Sequence, residues 1–128
     1  MSKRSFNPII SVEDDGLYIP EVGAWGDEKY KLLGGYCEIF TTGMKYKWDN
    51  LIYIDLFAGA GYARIKNTNK IRMSSALIAM SVSYKFTKYI LSEQNKDCLT
   101  ALKARVNRHF PDLMLSLSRA ILMTIFLK

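Results

Sequence analysis

The chain has 128 residues, 49% of them apolar and 23% charged, which fits one folded domain and excludes a disordered polypeptide. Its net charge of +6 is compatible with a nucleic-acid partner, although the 18 cations are spread along the chain. The first residues contain no apolar signal segment, and no apolar run is long enough to span a bilayer. We therefore expect a cytoplasmic protein without a membrane partner.

The first segment, residues 1–26, contains two prolines and a short acidic turn. These features predict an extended N-terminal arm, with strand-like pieces at residues 8–12 and 17–19. Apolar residues at helical spacing then predict a helix over residues 27–43, with Asp27 as its N-cap.

The remaining segments alternate between strand-like and helix-like patterns. We predict a strand over 51–56, a polar and basic loop over 59–73, a helix over 75–84 capped by Ser74, a strand over 87–92 and a helix over 95–108. This alternation predicts an α/β fold in which helices flank a parallel sheet.

The most informative stretch is residues 51–61, which read L-I-Y-I-D-L-F-A-G-A-G. The apolar run is typical of a buried parallel strand, Asp55 stands where that strand would end, and Gly59 and Gly61 suit a tight turn that approaches a ligand. Glu93 follows the second predicted strand. Because ligands of open α/β sheets bind outside the carboxyl ends of the strands, both acids are expected at one site.

This stretch resembles the first motif of S-adenosylmethionine-dependent methyltransferases, in its D-x-F-x-G-x-G variant. The resemblance implies that Glu93 accepts hydrogen bonds from the cofactor ribose and that Asp55 serves the cofactor ammonium. It also implies close backbone approach at the turn. The predicted cofactor-binding residues are Asp55, Phe57, Ala58, Gly59, Gly61 and Glu93, and no catalytic residue is assigned.

Each of these residues also has a purely structural interpretation. The glycines fit any tight turn, Asp55 could cap a helix, and Glu93 could be a solvated charge. Arg64 occupies the third glycine position of the G-x-G-x-x-G fingerprint, which argues against a dinucleotide site. His109 is the only histidine, so neither a zinc site nor a Ser-His-Asp triad is expected.

Over residues 25–112 the chain resembles the three-Cys-motif partner protein family, which is itself similar to S-adenosylmethionine-dependent methyltransferases. The resemblance is carried by residues 53–61, by S-S-A-L at 74–77 where the family usually has G-S-P before the leucine, and by Trp25, Lys29, Leu33, Tyr36, Glu93, Leu99, Leu102, Arg105, Phe110 and Pro111. It implies that residues 27–112 form the N-terminal half of a Rossmann-like methyltransferase domain. It also implies a three-Cys-motif protein as partner and leaves the methyl acceptor open.

The tail, residues 113–128, is atypically apolar and contains no acid after Leu113. In a methyltransferase, a third strand should lead into a polar motif such as G-D. The genetic code allows codons for residues 119–124 that, when read in a shifted frame, encode G-D-F-N-D. One hypothesis is therefore a frameshift near Leu113 that leaves an inactive fragment, and the gene sequence would test it. The alternative is a genuine buried strand and helix end.

Two other classes of function compete with a methyltransferase. The first is a non-catalytic interaction protein that keeps the half-fold without binding cofactor. The second is a nucleic-acid-binding module that uses the cations of the predicted loop, namely Arg64, Lys66, Lys70 and Arg72.

Overall fold

The computed structural model of the chain describes residues 6–119 and shows a mixed α/β protein. Within this range the elements in chain order are β1 (Glu21–Val22), α1 (Gly26–Met44), β2 (Ile52–Asp55), β3 (Tyr62–Ile65), β4 (Ile71–Met73), α2 (Ser75–Met80), β5 (Lys88–Ser92), α3 (Lys96–His109) and β6 (Leu115–Ser118). The predicted combination of helices with parallel strands is confirmed at this level.

A three-stranded parallel sheet, in the order β2-β5-β6, carries the predicted strands. β2 and β5 lie where the sequence predicts them. Asp55 at the end of β2 is in register with Leu91 on β5, which is in register with Leu117 on β6. The third strand falls in the tail segment and extends the sheet beyond β5. Residues 120–128, which include most of the stretch invoked for the frameshift, lie outside the described residues.

A second small sheet, in the order β1-β3-β4, occupies the region predicted as a polar loop, so that prediction was wrong. β3 and β4 form an antiparallel hairpin, whose turn contains Asn67 at a positive φ of 65°. The cations of this segment alternate with buried apolar residues, which is the pattern of a half-buried strand. Because the segment is rich in cations, its polarity alone predicts a loop, and the alternation typical of a strand is overlooked.

Helix α1 extends one residue beyond its predicted range at each end. Asp27 is not its N-cap, because Trp25 occupies that position and the Asp27 carboxylate instead binds the Arg72 guanidinium at 2.9 Å. Gly34 is required where the arm crosses the helix, since a Cβ there would stand 2.3 Å from the Pro8 Cβ and 2.8 Å from Ile78 Cγ2.

The arm contributes less strand than predicted. Its first piece reaches the hairpin through an isolated bridge between Ser11 and Arg72, whereas residues 17–19 form no strand, and pairing begins instead at β1. The physical reason is that the Tyr18 carbonyl accepts a hydrogen bond from the Arg105 side chain at 2.8 Å, which takes the place of a strand neighbour.

The core is centred on α2, which is completely buried from Ala76 to Met80. This helix ends four residues before its predicted end, whereas α3 matches its prediction to within one residue. The Asn95 side chain caps α3 by accepting from the Cys98 N–H at 3.0 Å. Packing of α2 and α3 positions the turn that follows β2, because Gly61 lies against Leu77 and Leu102.

Candidate functional site at the carboxyl ends of the strands

The turn after β2 has the backbone conformation that its glycines predict. Gly59 and Gly61 have φ values of 74° and 88°, a region that side-chain-bearing residues rarely adopt. A Cβ at Gly61 would also approach Leu77 Cδ1 to 3.2 Å. The Ala58 N–H donates to the Ser92 carbonyl at 3.0 Å, so the turn is held against the end of β5. We call residues 56–61 the glycine turn.

Glu93 lies at this turn, as the sequence predicts, and its carboxylate holds the turn in place. Its Oε1 accepts from the Gly59 N–H at 2.9 Å, and its Oε2 accepts from the Asn95 N–H at 2.8 Å. A carboxylate has about four acceptor positions, so two of them stay available to a ligand. Glu93 therefore connects the glycine turn to the start of α3 and still presents acceptor capacity.

Asp55 lies on the neighbouring strand end and is more fully engaged. It accepts hydrogen bonds from the Tyr53 hydroxyl at 3.0 Å, from Ser75 Oγ at 2.9 Å and from the Phe57 N–H at 3.0 Å. Burial, followed by the adjacent Asp55 charge, raises the pKa of Tyr53 far above its usual range. The phenol therefore stays protonated and donates to Asp55, which leaves that carboxylate about one open acceptor position.

A small cavity of about 120 Å³ opens beside the glycine turn. Its walls come from β1 and the start of α1, from the turn itself and from the start of α2, and they comprise Pro20, Val22, Lys29, Tyr30, Phe57, Ala58, Gly59, Ala60, Tyr62, Ala63, Ser74 and Ser75. Of the six predicted cofactor residues, Phe57, Ala58 and Gly59 line this cavity. Asp55 is hydrogen bonded to its wall through Ser75, whereas Gly61 and Glu93 are not among the lining residues.

Ser74 is the unusual member of this wall. The residue is only 7% exposed, and its hydroxyl is buried without a hydrogen-bond partner among the described residues. Ser74 stands at the N-cap position of α2, as predicted, but its side chain makes no capping bond. It lies close to the glycine turn, since a Cβ at Gly59 would be 4.0 Å from Ser74 Oγ. A buried hydroxyl normally finds a partner, so an unpartnered one beside the glycine turn is an unusual feature of this region.

Lys29 is the second residue that sequence reasoning did not assign to the site. It comes from the first turns of α1 and is the one cationic side chain among the residues that line this cavity. The only sequence signal for it was its place in the helix pattern of the resemblance. For Ser74, the signal was the serine pair before α2, and only the fold shows that its hydroxyl faces the turn rather than the helix end.

Arg105 supports the turn from inside the protein. The side chain is completely buried, and its Nη1 donates to the Ala60 carbonyl and to the Tyr18 carbonyl, both at 2.8 Å. Its Nε and Nη2 bind the two oxygens of Asp15 at 2.9 and 2.7 Å. This hydrogen-bonded ion pair holds the pKa of Asp15 well below its usual range. The arm, the glycine turn and α3 therefore meet at a single guanidinium.

The cations considered for nucleic-acid binding are partly neutralised. Arg64 pairs with Asp14 at 3.3 Å, and Arg72 pairs with Asp27 at 2.9 Å while also donating to Ser11. Paired arginines contribute less to a phosphate-binding surface than free ones do. Two of the four cations therefore have acidic partners within the fold.

Residues 6–119 contain no group of three or more potential metal ligands, and none of the helices in this range combines the length and apolarity that a bilayer crossing needs. His109, at the end of α3, hydrogen bonds to the Tyr62 hydroxyl at 2.7 Å. Burial and the nearby Arg108 charge lower the pKa of this histidine, which favours the neutral ring.

Comparisons with known proteins identify no relative. No protein-family model matches the sequence, no curated protein matches it, and no solved structure matches the fold. The site is therefore interpreted from its own geometry.

Proposed function

We propose that the chain binds S-adenosylmethionine at the glycine turn and belongs to the methyltransferase-like proteins of the three-Cys-motif partner type. The observation that carries this proposal is the left-handed glycine turn beside two strand-end carboxylates, with a small cavity next to it and the unpartnered Ser74 hydroxyl buried in its wall. The β2-β5-β6 order is compatible with the first half of a Rossmann-like methyltransferase sheet. The resemblance of residues 51–61 points to the same cofactor.

The cavity suits the amino-acid end of this cofactor. Its volume of about 120 Å³ is below the range of about 300–1,000 Å³ that is common for whole-ligand pockets, so it accommodates a head group rather than a nucleoside. Lys29 offers a positive charge to the cofactor carboxylate, and the Ser74 hydroxyl offers a hydrogen bond. Asp55, bonded to the cavity wall through Ser75, is the available counter-charge for the cofactor ammonium.

The nucleoside end matches the open strand ends beside the cavity. Glu93 keeps about two acceptor positions after its bonds to the chain, and a ribose presents two hydroxyl donors. The left-handed conformation of Gly59 brings backbone close to this carboxylate without a Cβ in the way. Glu93 would therefore both shape the glycine turn and bind the ribose.

When bound, the cofactor supplies an activated methyl group, and its transfer depends on in-line placement of the acceptor more than on a side-chain base. The contribution of this chain is then to orient the cofactor. Arg105 and Glu93 fix the glycine turn before binding, which lowers the entropy lost when the complex forms.

Calorimetric titration of S-adenosylmethionine into the purified chain tests the proposal. We expect binding that weakens by about tenfold or more in Lys29→Met and in Glu93→Gln, because each change removes one charged contact. Lys103→Met, on the exposed side of α3 away from the cavity, is the matched control and should bind as the unaltered chain does.

Two outcomes would reject the proposal. A folded, monodisperse sample that takes up no cofactor would favour a non-catalytic interaction protein. Binding that Lys29→Met and Lys103→Met weaken equally would mean that general charge, rather than the cavity, attracts the ligand.

A further inference from the structure

Two loops at the amino ends of β2 and β5 carry exposed aromatic side chains. The first, residues 45–51, reads K-Y-K-W-D-N-L and connects α1 to β2, and the second, residues 81–87, connects α2 to β5. Tyr46 is 90% exposed, Trp48 is 65% exposed and Tyr84 is 40% exposed. We call Lys45, Tyr46, Lys47, Trp48 and Tyr84 the aromatic patch.

Hydrogen bonds hold the two loops side by side. The Leu51 N–H donates to Thr87 Oγ1 at 2.9 Å, and the Thr87 N–H donates to the Leu51 carbonyl at 2.6 Å. Glu38 ties the second loop to α1, because its carboxylate accepts from the N–H and the hydroxyl of Ser83 at 2.8 and 2.6 Å. Since β2 and β5 are parallel neighbours, the aromatic patch lies at the end of the sheet opposite to the glycine turn.

The Lys45 ammonium joins the two loops into one surface. It lies 3.2 Å from the centre of the Tyr84 ring and 4.9 Å from the centre of the Tyr46 ring. Both distances fall within the range of about 6 Å for a cation–π interaction, which holds the rings next to a positive charge. Lys47, the residue after Tyr46, is exposed as well. The patch therefore offers flat aromatic faces and ammonium groups to the same ligand.

The charge of these loops is predominantly positive. Residues 45–51 and 81–88 together contain four lysines and one acid, Asp49. Among these lysines, Lys47 and Lys88 form no ion pair within residues 6–119. The hairpin arginines, by contrast, have acidic partners. The aromatic patch is therefore the better candidate for an anionic ligand.

Other acids on the elements at this end of the sheet do not cancel the charge. The Glu38 carboxylate is occupied by its two bonds to Ser83. Asp112 precedes β6, and β5 separates that strand from β2. An anion that reaches the patch along the first loop therefore meets a surface on which cations are in excess.

We propose that the aromatic patch binds single-stranded nucleic acid, with unpaired bases stacked on Tyr46 and Trp48 and phosphates at Lys45 and Lys47. Stacking of bases on aromatic side chains, combined with a positively charged surface, is how proteins bind such strands without sequence preference. The rings supply the stacking faces, and the lysines on either side of Tyr46 supply the counter-charges.

The same features disfavour a duplex and a membrane surface. A duplex keeps its bases paired and stacked on one another, so it offers no free base faces to the rings. A membrane surface is bound by aliphatic side chains that insert beside the aromatic ones, whereas residues 47, 49 and 50 around Trp48 are all charged or polar. Because the patch and the glycine turn lie at opposite ends of the sheet, this proposal does not depend on cofactor binding.

Fluorescence anisotropy of labelled oligonucleotides, titrated with the full chain, measures this binding. The probes are strands of about 12 thymidines and about 12 uridines, together with duplexes of the same length. We expect the single strands to bind at least about tenfold more tightly than the duplexes, and the tighter of the two strands assigns the ligand to DNA or RNA.

Removal of either stacking ring should weaken binding. Trp48→Ala and Tyr46→Ala should each raise the Kd by about tenfold, because each loses the stacking of one base. Both side chains are exposed, so neither substitution disturbs the core. Tyr36→Ala is the matched control, since Tyr36 is 70% exposed on α1 but lies outside the patch, and its Kd should be unchanged.

Tryptophan fluorescence locates the contact, because the chain has two tryptophans. Trp25→Phe leaves Trp48 as the single emitter, and a base stacked on its indole should quench the emission when the strand binds. Trp48→Phe keeps a ring for stacking and leaves Trp25 as the emitter, so binding should persist without quenching.

Salt dependence separates the phosphate contacts from stacking. Lys47→Gln should lower the slope of log affinity against log salt concentration by about 0.7, the contribution of one phosphate contact on a single strand. Lys103→Gln is the control, since Lys103 is exposed on α3, and it should leave the slope unchanged.

Four results would overturn the proposal. They are a folded chain that binds no oligonucleotide at low salt, duplexes that bind as tightly as single strands, equal losses in Trp48→Ala and Tyr36→Ala, and phosphatidylserine vesicles that bind through Trp48 when the oligonucleotides do not. Binding of S-adenosylmethionine should be unchanged in Trp48→Ala, so failure of this proposal is distinguishable from failure of the cofactor proposal.

Discussion

The glycine turn differs in chemical character from the outer side of α1 and the free edge of β2. At the glycine turn, charged and polar groups are bonded to one another, and one buried hydroxyl is left open. On α1, Leu32 and Ile39 are large exposed apolar side chains, and the outer edge of β2 pairs with no strand among residues 6–119. The first region offers hydrogen-bonding groups, whereas apolar side chains such as those of the second gain free energy when they are covered. The two regions should therefore respond differently to substitution.

The largest expected loss follows from removing the guanidinium beneath the glycine turn. Arg105→Met removes the buried cation that binds both oxygens of Asp15, so that Asp15 keeps only the half-exposed Arg108 as a charged partner. It also removes the donor to the Ala60 and Tyr18 carbonyls. We expect a loss of about 3–5 kcal/mol in the free energy of unfolding, measured with urea. Arg108→Met is the control, because Arg108 also contacts Asp15 but is half exposed, and it should cost about 1 kcal/mol or less. Equal losses in the two variants would contradict this account.

Acid should weaken the ion pair between Asp15 and Arg105. Asp15 has a depressed pKa in the folded chain, so its contribution is fully present above its ordinary pKa of 3.8 and is lost as the pH falls toward the folded value. We expect the urea midpoint to fall as the pH drops from 5 to about 2, and the Asp15→Asn variant to lack this part of the fall. If the urea midpoint of Asp15→Asn falls with pH as much as that of the unaltered chain, the low pKa of Asp15 does not contribute to stability.

The adjacent glycines of α1 sharpen the comparison further. Gly34→Ala should destabilise the chain by about 1–3 kcal/mol, because the new Cβ collides with Pro8. Gly35→Ala should stabilise the chain by about 1 kcal/mol through helix propensity, because the new Cβ would meet nothing within 4 Å. Urea unfolding of the two variants measures both effects. Changes of the same sign and size in the two variants would contradict this difference between the glycines.

The smallest expected effect on stability belongs to Ser74. Ser74→Ala removes a buried hydroxyl that has no partner, so the free energy of unfolding should stay level or rise by about 1 kcal/mol. Binding of S-adenosylmethionine should weaken in the same variant. Paired thermal melts with and without the cofactor measure both, and a loss of stability without cofactor would indicate a structural role.

Local patterns predicted the three helices, strands β2 and β5 and the glycine turn, because each is encoded in neighbouring residues. β6 was not predicted, because it falls in the tail, whose composition is atypical. The fold also places Asp55 and Glu93 at the same end of that sheet, as expected from parallel strands. The hairpin escaped prediction because its alternation is carried by cations. The contacts of Ser74 and of Arg105 could not be predicted, since they depend on how separate elements pack.

The Arg105 connection also has a consequence for the order in which the molecule is assembled. Asp15 and Arg105 are 90 positions apart, so the ribosome releases the arm long before the partner of its carboxylate exists. β2 and the glycine turn are synthesised before α3, so the Ala60 carbonyl gains its donor, Arg105, only once α3 is present. Folding of the region around the glycine turn is therefore expected to finish only after α3 has emerged.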